Sequence, residues 1–266
     1  MKTQVTELFN NIWQNYIEVT PSAEKIHELL GDGNDLINDH VAYRTFNIEK
    51  VGMDKLAQHL IALGYQEGGE YHFEAKKLYA KHFEHNDKAL PKVFISELLV
   101  EEFSPSVQKI IHNLIDSLDE SIIADESFLY SGKQWSLSAA DYQTLLAESE
   151  YAAWLAAWGY RANHFTVSIN HLANYDHLQD INITLKSAGF TLNSTGGEIK
   201  GCSEVKLEQS STIADKVNVE FSDKTLEIPS CFYEFAKRYP AGNGELYSGF
   251  VAASADKIFE STNAAA

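Results

Sequence analysis

Two segments of this chain repeat one local plan, and that repeat limits the folds open to it. Asp39-His40-Val41-Ala42-Tyr43-Arg44-Thr45-Phe46-Asn47 and Asn163-His164-Phe165-Thr166-Val167-Ser168-Ile169-Asn170 both read as strands carrying one histidine at the same place. Each runs into a helical stretch that ends at Gly64-Tyr65 or Gly189-Phe190. The spacing from histidine to glycine is 24 residues in the first copy (64 − 40) and 25 in the second (189 − 164). A matched strand–helix pair predicts a duplicated module. Duplication can bring two equivalent imidazoles to one central point, which is a way to build a metal site.

Around these strands the pattern predicts an α+β fold of two βαβββ-like modules. Residues 1–34 are expected to form two N-terminal helices. Leu8, Ile12, Trp13 and Tyr16 repeat at helical spacing, and Pro21-Ser22-Ala23-Glu24 opens a second helix with Ser22 as its N-cap. Gly31-Asp32-Gly33-Asn34-Asp35 breaks it. The first module, 35–104, takes a strand at 38–47, a helix at 53–63 and strands at 77–83 and 93–103, with a further strand around 71–73. Residues 105–159 read as a helical insertion, with an apolar stripe from Val107 to Leu118 and a second helix over 138–155 capped by Ser138. The second module, 160–240, takes a strand at 162–170, a helix at 173–188 and strands near 198–201, 205–211, 216–221 and 231–239. Residues 241–262 close the chain and end in a short helix. The whole of 1–262 is expected to be a single catalytic domain, with 263–266 a frayed tail.

A chain of 266 residues is long enough for a sizeable core, and a formal net charge of −17 without a basic stripe argues against nucleic acid. An anionic substrate then needs a local cation inside the site. Cys202 and Cys231 are too few for a disulfide framework or a cysteine zinc site, which predicts reduced thiols in a cytoplasm. The N-terminus has no apolar signal core, and no run approaches the ~20 residues of a membrane span. The expected partner is a small molecule; oligomeric state is left open.

His40 and His164 are the centre of the chemistry. A lone imidazole is more often a hydrogen-bonded core residue, but two at equivalent repeat positions favour a ligand pair. Two histidines and one carboxylate leave open positions for substrate and O₂, the usual arrangement in non-haem Fe(II) oxygenases. Glu234, after Pro229, is the first choice of carboxylate, and Glu97, after Pro91, the second. Both sit among apolar neighbours, where an ionised carboxylate is costly unless paired or metal-bound. Glu220 is the rival, although its alternating strand exposes it. Arg44 lies four residues beyond His40 and so faces the same side, placed to grip a substrate carboxylate. Within the polar stretch Glu208-Gln209-Ser210-Ser211-Thr212, Gln209 is the expected contact. His72, His82 and His85 read as surface residues, and His27, His59, His112, His171 and His177 as surface or cap residues.

Asp39-His40-Val41-Ala42-Tyr43-Arg44-Thr45-Phe46, Arg161-Ala162-Asn163-His164-Phe165-Thr166, Ile228-Pro229-Ser230-Cys231-Phe232-Tyr233-Glu234-Phe235-Ala236 and Phe250-Val251-Ala252-Ala253-Ser254-Ala255-Asp256-Lys257-Ile258-Phe259 together resemble the 2-oxoadipate dioxygenase/decarboxylase family. The resemblance implies a vicinal-oxygen-chelate type of fold, a barrel-like wrap of two βαβββ modules around one metal. It implies Fe(II) held by His40, His164 and Glu234. Arg44 would hold the distal carboxylate of a 2-oxo diacid, and Ala253-Ser254 would contribute substrate contacts. The implied reaction turns 2-oxoadipate and O₂ into 2-hydroxyglutarate and CO₂, a step in lysine breakdown. The runner-up is a metal-dependent isomerase, lyase or hydrolase on the same scaffold, using the metal as a Lewis acid without O₂. A third reading is a binding protein that keeps the fold without turnover.

Overall fold

The computed structural model describes residues 2–33, 35–242 and 244–263; Asn34 of the expected helix break and residues 264–266 of the expected tail lie outside them. Two helices come first, α1 (Lys2–Ile17) and α2 (Pro21–Gly31). The first module follows as β1 (Asn38–Phe46), α3 (Met53–Ala62), β2 (Tyr65–Phe73), β3 (Leu78–His85) and β4 (Lys92–Leu98). Four helices intervene: α4 (Pro105–Asp116), α5 (Glu120–Ala124), α6 (Ala139–Glu148) and α7 (Glu150–Trp158). The second module is β5 (His164–Ser168), α8 (Leu178–Ser187), β6 (Lys200–Cys202), β7 (Leu207–Ser211), β8 (Lys216–Glu220), β9 (Thr225–Pro229) and β10 (Phe232–Arg238), and α9 (Ala252–Ile258) ends the order of main elements.

The modules share one curled eight-stranded sheet in the order β2-β3-β4-β1-β5-β10-β7-β6. Its two halves correspond. β1 pairs with β4 in parallel, β5 pairs with β10 in parallel, and an antiparallel β1–β5 pair joins them. Helix α9 touches both edge strands, β2 and β6, and so lies across the mouth of the curl. No helix among the described residues is long and apolar enough to cross a membrane.

Local chemistry accounts for where the elements depart from expectation. The stretch expected as one helix over 138–155 is two. The Ser149 hydroxyl accepts from the Ala152 N–H at 3.1 Å and so starts α7 afresh. Ser138 does cap α6, accepting from the Asp141 N–H at 3.0 Å. The N-cap of α2 is Thr20, not Ser22, because Pro21 takes the first helical position; the Ser22 N–H donates instead to Asp215 Oδ2 at 2.8 Å. The strand expected over 93–103 stops at Leu98 and passes into a 3₁₀ turn, Val100–Glu102. Helix α8 starts at Leu178 rather than near 173. β8 leaves the main sheet and pairs with β9, a strand absent from the sequence reading, as a separate hairpin.

The aromatic residues of the insertion fix the strands that carry the site. The Trp158 indole donates to the Pro229 carbonyl at 2.8 Å, and Trp154 donates to the Ser230 carbonyl. Both bonds tie α7 to the residues leading into β10. The Tyr151 hydroxyl accepts from the Thr45 N–H at 3.0 Å and donates to the Ser96 carbonyl at 2.6 Å, which clamps β1 to β4. Each such buried hydrogen bond contributes about 1 kcal/mol net, and orphaning either partner costs more.

Candidate metal centre

β1 and β5 present His40 and His164 on one face, and β10 brings Glu234 beside them, opposite Thr166. One donor atom from each of the three lies within 4.8 Å of the others, and all three residues are buried. His164 Nε2 is 3.1 Å from Glu234 Oε2, and His40 Nε2 is 3.7 Å from Glu234 Oε1. The other ring nitrogens face acceptors. His40 Nδ1 lies 2.8 Å from Asp39 Oδ1, and His164 Nδ1 lies 3.1 Å from Asn163 Oδ1. Each ring therefore carries its proton on Nδ1 and turns the Nε2 lone pair inward.

That arrangement tests whether a metal belongs here. The two ring Nε2 atoms and the Glu234 carboxylate converge on one point, as the donors of a metal site do, and the Thr166 hydroxyl lies 3.1 Å from His40 Nε2. Glu234 Oε2 is buried without a hydrogen-bond donor. Burial holds His164 below the ordinary imidazole range, against the pull of the Glu234 carboxylate, so the ring is neutral. Burial alone would raise Glu234, but the facing imidazoles of His40 and His164 and the Gln209 amide keep it below its usual value and ionised. A neutral His164 and an ionised Glu234 are the states a divalent metal binds. The donor set fits one.

An outer layer orients the donors. Gln209, buried on β7, donates to Glu234 Oε1 at 2.6 Å. Asp39 receives Arg238 through Nε at 2.6 Å and Nη2 at 2.8 Å, and Arg238 Nη1 bonds the Tyr247 and Gly249 carbonyls. Burial would raise Asp39, but this guanidinium holds it far below the usual carboxylate range. Phe250 stands edge-on to His40 with centroids 4.8 Å apart, and Phe232 stacks on His164 at 4.5 Å.

The donors open onto a small cavity, walled by Phe94, Phe250, Ile258 and Phe259 and containing Arg44. Arg44 is buried. Its Nη1 reaches both Glu150 oxygens at 3.2 and 3.4 Å, and its Nη2 donates to Thr262 Oγ1 at 2.8 Å. The guanidinium carbon lies 4.9 Å from the ring centres of both Tyr151 and Trp154.

His40, His164, Glu234, Arg44 and Gln209 thus meet at one cavity. Other candidates lie elsewhere. Glu97 does not match Glu234 in position. Lys92 faces His40 as Phe232 faces His164, so the counterpart of Glu234 is Phe94. Glu97 accepts from the Met53 N–H at 3.0 Å and serves the start of α3. Glu220 is exposed on the β8–β9 hairpin, accepting from Thr225 Oγ1. Ala253 is exposed and Ser254 packs beside Gly201; the cavity is lined instead by Ala255, Ile258 and Phe259. Two histidines expected at the surface are buried. His82 bonds Tyr71 Oη and Glu84 Oε1, each at 2.9 Å, and His59 Nε2 bonds the Ile123 carbonyl. Cys231 is buried, which pushes its thiol up to about 12 and makes it inert.

Asp39, Asn163, Arg238 and Glu150 are not among the residues expected at the site. The first two had a signal, since each copy of the repeat places an Asx residue directly before its histidine. Arg238 and Glu150 are distant in sequence and had none.

The comparisons agree with this geometry. A family model for 2-oxoadipate dioxygenase/decarboxylase matches residues 2–130 and 123–245. The protein of that name from Oryza sativa subsp. japonica, chloroplastic/amyloplastic by description, is 36% identical over 96% of this chain and 78% of its own length. A Shewanella frigidimarina structure, provisionally named a hydrolase, is 63% identical with a TM-score of 0.91, covering 94% of this chain and 98% of that one. A hydroxyglutarate synthase from Oryza sativa in complex with 2-oxoadipate is 36% identical with a TM-score of 0.91, covering 97% and 91% of the two chains. A protein from Ralstonia eutropha, provisionally placed in the glyoxalase superfamily, shares the fold at 22% identity and a TM-score of 0.74 over 93% and 86% of the chains. With its paired modules curled around one donor set, this chain belongs to the 2-oxoadipate dioxygenase/decarboxylase family.

Proposed function

We propose that this protein is an Fe(II)-dependent dioxygenase/decarboxylase that converts 2-oxoadipate and O₂ into 2-hydroxyglutarate and CO₂. The observation that carries the reading is a single apolar cavity holding both the His40, His164 and Glu234 donors and the Arg44 guanidinium. The two imidazole Nε2 atoms and a Glu234 oxygen would hold the metal. When bound, iron supplies a chelating point for the 2-oxo acid and the electrons that activate O₂.

The chain's own residues do the rest. Arg44 takes the distal carboxylate and so fixes the far end of the substrate, leaving its 2-oxo end at the donor set. Tyr151 and Trp154 pack against the guanidinium and keep it in place. Phe94, Phe250 and Phe259 exclude water, which strengthens the charge interactions inside. Gln209 occupies Glu234 Oε1 and leaves Oε2 for the metal. The names of the rice relatives support the substrate. Free Cys202 and Cys231 fit a reducing, cytoplasmic setting.

The test is anaerobic loading with Fe(II), then oxygen-electrode recording on adding 2-oxoadipate. We expect O₂ uptake matched by CO₂ and 2-hydroxyglutarate in equal amounts. No uptake by iron-loaded protein with 2-oxoadipate or with shorter and longer 2-oxo diacids would favour Lewis-acid chemistry at the same donors, the reading that the Shewanella protein's provisional name suggests.

A further inference from the structure

Arg44 serves two pockets. Its guanidinium lines the metal cavity, while Glu150, its ionic partner, lines a second pocket with Lys76, Lys77 and Tyr151. Phe259 lines both and separates them. The two members of the ion pair are unequally held. The Arg44 side chain is 1% exposed and packed between aromatic rings, whereas the Glu150 side chain is 25% exposed. Their contact is end-on, through Nη1 alone, and Arg44 Nε is buried with no hydrogen-bond partner. A buried guanidinium needs a counter-charge, and Glu150, which lines the second pocket, supplies one. It does so without using the fork of N–H groups that binds a carboxylate best.

A second carboxylate arriving from the metal cavity meets a guanidinium already shared. We infer that Glu150 is a specificity-determining counter-ion: it competes with the substrate's distal carboxylate for Arg44 and so sets how strongly the site prefers a charged over an uncharged tail. This rests on the assignment of Arg44 to the distal carboxylate. With Glu150 in place, Arg44 is partly neutralised, so an uncharged tail meets little penalty and a charged tail gains less than it would from a lone guanidinium.

The test is calorimetric titration of anaerobic, iron-loaded protein with 2-oxoadipate and with 2-oxohexanoate, which lacks the distal charge. Glu150→Gln should tighten 2-oxoadipate by about tenfold and leave 2-oxohexanoate unchanged or weaker, so the ratio of the two rises. Glu150→Ala should move the ratio in the same direction. If Glu150 only positions Arg44, both variants weaken 2-oxoadipate, and that result, or an unchanged ratio, overturns the inference. Arg44→Gln should abolish the tail preference. If it does not, the assignment of Arg44 falls, and the inference with it. Failure of the wild type to bind either acid overturns both.

Discussion

His40 and His164 lie two residues apart across one antiparallel strand pair: His40 faces Thr166, and Ala42 faces His164. Their rings stand nearly perpendicular, 83° apart, with centroids at 5.6 Å. The two-fold relation of the modules runs through the pair Val41 and Phe165 between them. It is broken at the next strand out on each side, where Phe94 faces Ala42 but Glu234 faces Thr166. One module supplies the carboxylate, and the other supplies an apolar wall. That asymmetry sets an apolar wall, Phe94, at the place that mirrors the carboxylate in the shared cavity.

Removing a donor should remove the metal. His40→Ala and Glu234→Ala should each lower Fe(II) affinity by more than the ~10–100-fold typical of outer-shell losses. Anaerobic metal titration checks this, and a variant that keeps wild-type affinity would take its residue out of the donor set.

Asp39 joins the donor set to a buried ion pair, so its loss should act twice. Asp39→Ala frees His40 Nδ1 and leaves Arg238 buried without its carboxylate. We expect metal affinity to fall by ~10–100-fold and unfolding free energy to drop by about 3–5 kcal/mol. Metal titration and denaturant unfolding read the two effects separately.

Arg44→Ala should spare the metal and act on the substrate. Losing a charge-assisted contact of ~1.5–3 kcal/mol raises KM for 2-oxoadipate by about 10–100-fold. Metal content measured beside the kinetics decides the matter, since loss of metal instead would contradict the assigned role.

Glu84 should make part of the stability pH-dependent. The hydrogen bond with His82, aided by Lys88 and Lys92, holds its carboxyl below the usual range against the effect of burial. A depressed folded value means that the contribution is full above the unfolded value of ~4.3 and is lost as pH falls toward the folded one. Glu84→Gln should therefore cost about 1 kcal/mol at neutral pH, and the gap to wild type should narrow below about pH 4. Denaturant unfolding at neutral pH and at pH ~3.5 would expose a constant gap, the contrary result.

The repeat made His40 and His164 legible, because both lie at the same point of the same strand–helix pattern. Glu234 was legible from its apolar setting, but its pairing with Glu97 was not sound. Counting from Pro91 and Pro229 ignores register, and register puts Phe94 at the matching place. Strand β9 escaped notice because it pairs outside the main sheet, in a hairpin with β8. Buried His59 and His82 gave no sign of their burial, since a single polar residue on a helix or strand looks the same whether its partner is water or protein. Glu150 was invisible for a plainer reason: it meets Arg44 across 106 residues of chain.

Turnover under isotopically labelled dioxygen tests the central claim most directly. Loss of CO₂ from 2-oxoadipate should place one labelled oxygen in the new carboxylate and the other in the hydroxyl group. The account predicts 2-hydroxyglutarate carrying both labelled atoms and CO₂ carrying neither. An unlabelled product, or turnover that proceeds without oxygen, would contradict it.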